Sequence, residues 1–168
     1  MMLSRPSRPV QIIPVLLLAL RFFSSTAVAQ SKPDFSGTWK PLPASAQITS
    51  AQITIAQEGP SFVVTTAFAD GSSEALTYRL DGRESRNTVK DATGTVWTHV
   101  SKATWMNSAV VITTTTIPPP ENGGKWEWMR VYSLESDGEL SVTTFDGVLR
   151  DVRFMATITV SYGKVSQR

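Results

Sequence analysis

The chain of 168 residues has no cysteine, one histidine and few charged residues. Without cysteine it can form no disulfide, thiolate metal site or cysteine nucleophile. A lone histidine also excludes every metal site built from several imidazoles. Charged residues make up 18% of the chain, below the roughly 25% of average soluble domains. Apolar residues still make up 41%, so the length and composition predict one folded domain.

Residues 1–29 differ from the rest of the chain in charge and hydropathy. They carry three arginines, no acid and an apolar run of 11 residues at 10–20. The small residues Ala27 and Ala29 follow that run. This order is typical of a signal peptide, so we predict cleavage near Ala29 and a secreted or periplasmic mature chain over 30–168. A membrane anchor, the alternative, needs about 20 apolar residues, and we expect no membrane span after cleavage.

The charge of the predicted mature chain excludes one class of partner. Three of the 16 basic residues lie in the leader, so 13 basic and 14 acidic residues remain. No basic run is present, and we therefore expect no nucleic-acid binding. The acidic residues lack the spacing of a calcium loop, and no Gly-x-Ser-x-Gly motif is present. We accordingly predict no metal and no cofactor.

The mature region has the pattern of consecutive β-strands. Nineteen of the 20 threonines follow the leader, and β-branched residues favour extended backbone. Alternation of period two recurs about eight to ten times, most clearly over 152–162. Asp-Gly pairs, which favour hairpin turns, stand at 70–71, 81–82, 137–138 and 146–147. We predict an all-β single domain, an antiparallel up-and-down β-barrel, with a Greek-key sandwich as the alternative.

The segment Asp34–Lys40, Asp-Phe-Ser-Gly-Thr-Trp-Lys, resembles the Gly-x-Trp opening of lipocalins and their calycin relatives, including fatty-acid-binding proteins. Small secreted bacterial lipocalin-like proteins are more similar still. They share the Ser-Gly-Thr-Trp-Lys start, a Trp-x-Asn hairpin like that at 105–108, and a Leu-x-x-Asp-Gly strand end like that at 134–138. The resemblance implies an eight-stranded barrel that holds one small apolar ligand.

Trp39 is expected to fill the closed end of this barrel, because the preceding glycine lets the chain approach closely. The resemblance further implies that a basic residue from a late strand crosses the Trp39 ring. The candidates are Arg150, Arg153 and Arg168.

Alternation over 125–134 places aromatic and basic side chains together on one strand face. If that face points inward, Arg130 can bind a ligand carboxylate as a fork, and the rings can line an apolar cavity. The predicted ligand-binding residues are Trp126, Trp128, Arg130 and Tyr132, with Phe62 and Tyr78 facing them. In the alternative, Arg130 pairs with an interior acid or extends to the rim, and the aromatic residues form an ordinary core.

Three functions fit this pattern. The favoured one is a secreted or periplasmic binding protein for a small hydrophobic or amphipathic ligand. The second is an envelope structural or interaction protein with a filled barrel and no ligand. The third is a small hydrolase or isomerase that would use His99. Because no nucleophile motif accompanies it, we interpret His99 as a surface or rim residue and expect no enzyme.

Overall fold

The computed structural model describes residues 31–46, 49, 51–91, 93–119, 124–147 and 155–166. The predicted leader and its cleavage site lie outside these ranges. The described residues from Ser31 onward form ten strands. They are β1 Gly37–Pro41, β2 Gln52–Glu58, β3 Ser61–Ala67, β4 Ser73–Arg79, β5 Asp81–Lys90, β6 Val96–Met106, β7 Ala109–Ile117, β8 Trp126–Leu134, β9 Leu140–Asp146 and β10 Met155–Lys164.

All described strand pairs are antiparallel, and the sheet curls into a nearly closed barrel. The order is β4-β3-β2-β1-β10-β9-β8-β7-β6-β5, so the first and last strands of the chain are neighbours. Trp39 on β1 lies opposite Ile53 on β2 and opposite Lys164 on β10. This arrangement confirms the predicted all-β, up-and-down barrel. Among the described residues, no helix is long and apolar enough to cross a membrane.

One predicted strand boundary is wrong, and another is not tested. The sequence pattern separates strands at 95–100 and 103–106, but the structure joins them in β6, because its pairing with β7 continues from Thr98 to Met106. The final strand is described only from Met155, so the predicted start at 152 lies outside the described residues.

The barrel has one gap, between β4 and β5. The Asp-Gly pair at 81–82 does turn the chain, with Gly82 at φ +78°, but the two strands that it joins form no backbone ladder. Side chains bridge them instead. The Asn87 amide oxygen accepts from the Thr77 N–H over 2.8 Å, and the Asn87 amide nitrogen donates to the Thr77 carbonyl over 3.0 Å. The Ser85 hydroxyl oxygen likewise accepts from the Arg79 N–H over 3.0 Å.

Aromatic packing fills the closed end of the barrel. Trp39 is 1% exposed, and its indole N–H donates to the Phe35 carbonyl over 3.0 Å. The Phe35 and Phe62 rings meet edge to face at 6.0 Å, and Phe62 and Tyr132 meet at 5.4 Å. This geometry favours aromatic pairs beyond simple area burial, so the closed end is a packed core.

The basic residue at the Trp39 ring is Lys164, whose ammonium lies 5.3 Å from the ring centroid. The three arginine candidates lie outside the described residues. Gly37 makes room for this lysine, since a Cβ there would stand 2.7 Å from Lys164 Cε. Gly37 also adopts φ +138°, a backbone conformation that other residues rarely adopt. Glycine at position 37 therefore leaves space for the aliphatic part of the Lys164 side chain, which crosses the closed end of the barrel.

Candidate ligand-binding site

The inner face of β8 runs from the closed end to the open end of the barrel. Tyr132 is buried at 1% exposure, and Arg130 and Trp128 follow it as half-buried residues. Trp126, predicted to be enclosed with them, is 57% exposed. It is the first residue of β8, where the strand reaches the mouth, so no opposite wall covers its ring.

Phe62 and Tyr78 lie opposite each other on β3 and β4. Both are almost fully buried, at 0% and 1% exposure. They lie near Tyr132, as predicted, but belong to the closed core and line neither of the two cavities beside Arg130. Burial raises the pKa of Tyr78 above the ordinary range, so its hydroxyl stays protonated.

Arg130 occupies the centre of the open half of the barrel. Its guanidinium carbon lies 4.5 Å from the centre of the Trp128 ring, and the nearby Tyr132 hydroxyl helps to raise the pKa of Arg130. The ion pairs within the described ranges join only the exposed or half-exposed side chains Arg79, Asp81, Arg83, Glu84, Arg86 and Lys102. Arg130 therefore has no carboxylate within ion-pair distance in that part of the chain.

Glu74 on β4 is the acid whose charge influences the pKa of Arg130. Burial raises the pKa of Glu74, and the positive charge of Arg130 opposes that rise. Arg130 and Glu74 thus influence each other through the cavity without forming a contact ion pair. The predicted alternative was that Arg130 pairs with an interior acid. Glu74 influences Arg130 electrostatically but forms no ion pair with it.

A first cavity of about 250 Å³ lies between Arg130 and strands β2, β3 and β10. Its walls combine aliphatic residues with about as many residues that carry a polar group. The lining residues are Thr49, Ala51, Ile53, Val64, Thr66, Phe68, Glu74, Arg130, Tyr132, Val142, Thr144, Ile158, Val160 and Tyr162. Burial raises the pKa of Tyr162 to about 12, so this wall presents a neutral hydroxyl.

A second cavity, of about 330 Å³, lies on the other side of Arg130 and is mainly aromatic. Its lining residues are Val89, Trp97, His99, Thr116, Trp126, Trp128, Arg130, Thr144 and Asp146. Arg130 and Thr144 line both cavities, so the two spaces meet at the guanidinium. Volumes near 300 Å³ are at the lower end of small-molecule sites.

His99 lies on the inner wall of the second cavity, near the rim. Its ring is half-buried, and its Nδ1 atom is buried without a hydrogen-bond partner in the part of the chain that the structure describes. The ring meets Trp128 edge to face, with centroids 5.9 Å apart. Burial and the nearby Arg130 charge lower the pKa of His99 below 6.5, so the imidazole is neutral at pH 7.

Sequence reasoning missed Glu74, Trp97, Thr144 and Asp146 as lining residues. Alternation along β6 puts Trp97 and His99 on one face and was the available signal. Thr114 and Thr116 are also buried, at 0% and 7% exposure. Within the described ranges, no group of acids and histidine is arranged to hold a metal ion.

The barrel is similar to that of the zebrafish ileal bile acid-binding protein, solved in complex with cholic acid. The TM-score is 0.52 at 14% identity, over 78% of this chain and 98% of that one. The fold is calycin-type. No family model matches the chain, and neither does any curated protein sequence. At this identity the likeness shows the fold alone, because one fold serves many functions.

Proposed function

We propose that this chain is a secreted or periplasmic binding protein that holds one small hydrophobic or amphipathic molecule in the open half of its barrel. The ligand carries an anionic group, which Arg130 binds as a fork. The proposal rests above all on Arg130, a guanidinium in the barrel interior without a contact counter-ion among the described residues.

A charge inside the barrel loses part of its hydration, which is costly unless the charge is paired and hydrogen-bonded. Arg130 has two partial compensations, the Trp128 ring face and the Tyr132 hydroxyl. Glu74 lies too far away for an ion pair, and burial raises its pKa. A ligand carboxylate would supply the missing negative charge and accept the remaining guanidinium N–H donors.

The two cavities support an amphipathic rather than a purely polar ligand. Both adjoin Arg130, and their other walls are mostly aliphatic or aromatic. The structural neighbour was solved with cholic acid, a molecule with an apolar body and one carboxylate. That likeness agrees with the proposal. The main support for the proposal comes from the interior residues of this chain.

Export is the second part of the proposal, and the pattern of residues 1–29 supports it. Binding rather than catalysis is the third. Among the described residues, His99 Nδ1 has no orienting acid within hydrogen-bond distance, whereas a histidine that activates a nucleophile is usually held by such a group. The cation that lines both cavities is Arg130. It can hold an anionic ligand, and this favours binding of the ligand over its chemical conversion.

Calorimetry with dodecanoate on residues 30–168 tests the binding claim. We expect one molecule per chain and at least tenfold weaker binding in Arg130→Met, because a hydrogen bond to a charged group contributes about 1.5–3 kcal/mol. Arg83→Met is the matched control, since its side chain is 77% exposed. Native mass spectrometry of the protein from an exporting host would show any co-purified ligand and the cleaved leader.

Two results would overturn the proposal. One is a wild-type chain that binds neither dodecanoate nor any co-purified amphiphile. The other is an Arg130→Met variant that binds as tightly as Arg83→Met. Either would favour the filled-barrel alternative, in which the protein works through its outer surface.

A further inference from the structure

The second cavity differs from the first in its chemistry. Trp97, Trp126 and Trp128 contribute to its walls, and we call it the tryptophan compartment. The indole N–H of Trp97 donates to Asp91 over 3.0 Å, and that of Trp128 donates to Thr116 over 3.2 Å. These two indoles have no donor left for a ligand, so they offer it mainly carbon surface.

His99 lines this compartment, and its Nδ1 atom, which protein atoms cover, lacks a hydrogen-bond partner among the described residues. Among the described residues, every other buried side-chain nitrogen or oxygen atom has a hydrogen-bond partner. Leaving such an atom unpaired is unfavourable. Protein atoms cover Nδ1 in the ligand-free chain, so the imidazole must turn about its Cβ–Cγ bond before a ligand group in the cavity can pair with it and remove that cost. A hydroxyl fits either imidazole tautomer, because it can donate to Nδ1 or accept from Nδ1–H.

The spacing of the polar groups limits the size of the ligand. The Arg130 guanidinium lies 4.5 Å from the centre of the Trp128 ring, and the His99 ring lies 5.9 Å from it. The guanidinium and the imidazole are therefore no more than about 10 Å apart. A molecule that contacts both is one or two fused rings long, whereas an aliphatic chain would leave His99 unpaired.

Charge in the compartment favours a monoanion. The titratable groups that line it are His99, Arg130 and Asp146. Arg130 already covers the Trp128 ring and would repel a cationic ligand, and Asp146 would repel a second carboxylate. A flat apolar ring with one carboxylate and one hydroxyl therefore satisfies the walls, the cation and the unpaired nitrogen together.

We infer that the tryptophan compartment binds a hydroxylated aromatic carboxylic acid. Its ring packs on the tryptophans, its carboxylate lies on Arg130, and its hydroxyl hydrogen-bonds His99 Nδ1. This inference rests on the proposed function and narrows it to one class of ligand. The first cavity, which lacks tryptophan, is left for aliphatic groups.

The probes are 6-hydroxy-2-naphthoate and 2-naphthoate, which differ only in the hydroxyl. Calorimetry on the wild type should show the hydroxylated acid binding about tenfold more tightly, the effect of pairing an otherwise unpaired buried atom. His99→Phe should remove this preference and retain binding of 2-naphthoate. Thr104→Phe is the matched control on β6, where Thr104 is exposed, and it should keep the preference.

A second measurement does not depend on a folded variant. The chain has one histidine, so its imidazole ¹⁵N signals are assigned without ambiguity. The hydroxylated acid should shift the Nδ1 signal, and 2-naphthoate should shift it less. Equal shifts, or equal affinities for the two acids, would overturn the role of His99.

Dodecanoate separates this inference from the proposed function. If dodecanoate binds in an Arg130-dependent manner and neither naphthoate binds, the tryptophan compartment is not the ligand site, and the proposed function stands. If none of the three acids binds, the inference is wrong, and the proposed function is wrong as well when no amphiphile co-purifies with the chain.

Discussion

Replacing Trp39 with alanine tests whether the closed end stabilises the barrel. Trp39 is 1% exposed, so the substitution removes a whole buried indole. A change of this kind costs about 3–5 kcal/mol, which includes the cavity left behind. The hydrogen bond to Phe35, 3.0 Å long, accounts for about 1 kcal/mol. Domains of this size have a free energy of unfolding of about 5–15 kcal/mol, so the variant should lose a large fraction of its stability.

Urea unfolding followed by circular dichroism measures this loss. Trp126→Ala is the matched control, because the same substitution at a residue 57% exposed should change the free energy of unfolding by about 0.5 kcal/mol or less. Trp39→Phe keeps an aromatic ring and removes the indole N–H, so its loss should lie between the other two. A loss below about 1 kcal/mol in Trp39→Ala, or equal losses in Trp39→Ala and Trp126→Ala, would refute the reasoning.

Two further predictions concern the barrel gap and the histidine. Asn87→Ala removes both side-chain bonds to Thr77 and should lower the free energy of unfolding by about 1–2 kcal/mol; an unchanged urea midpoint would show that the amide does not bridge the gap. For His99, burial and the Arg130 charge lower the pKa below 6.5, so the unfolded state takes up the proton first, and stability should fall as pH drops below about 6.5. An NMR titration should give a pKa below 6.5 that rises in Arg130→Met, and a value above 6.5 in the wild type would contradict the assignment.

The hairpin order of the barrel was predictable because its signals are local. The Asp-Gly pairs at 70–71 and 137–138 each join two strands that pair in the structure. The pair at 81–82 has the same local signal, and yet β4 and β5 form no ladder. Whether neighbouring strands pair there depends on how the whole sheet closes. The turn residues carry no information about that closure.

The site was predictable along one strand and not across strands. Alternation identified Trp128, Arg130 and Tyr132 as one face of β8. It could not show that β8 extends to the mouth of the barrel, where Trp126 lines the second cavity and is 57% exposed. Glu74 reaches the site from β4, and its relation to Arg130 depends on the curvature of the sheet. A period-two pattern contains no information on that distance.

The barrel interior has two layers that differ in packing. Near the closed end, Tyr132 pairs with Val110 on β7, and Val110 pairs with Trp105 on β6. Near the mouth, Trp126 pairs with Thr116, and Thr116 pairs with His99. The first layer buries large apolar side chains, whereas the second contains polar groups that are only partly satisfied.

A barrel selected only for stability would carry apolar residues at Arg130, Glu74 and His99, because incompletely paired interior polar groups are unfavourable. Aromatic packing at the closed end can offset their cost. Departures from a fully satisfied interior are expected to concentrate at functional sites. Here they concentrate around one guanidinium with a cavity on either side of it. This concentration favours a ligand-binding interior over a filled structural barrel.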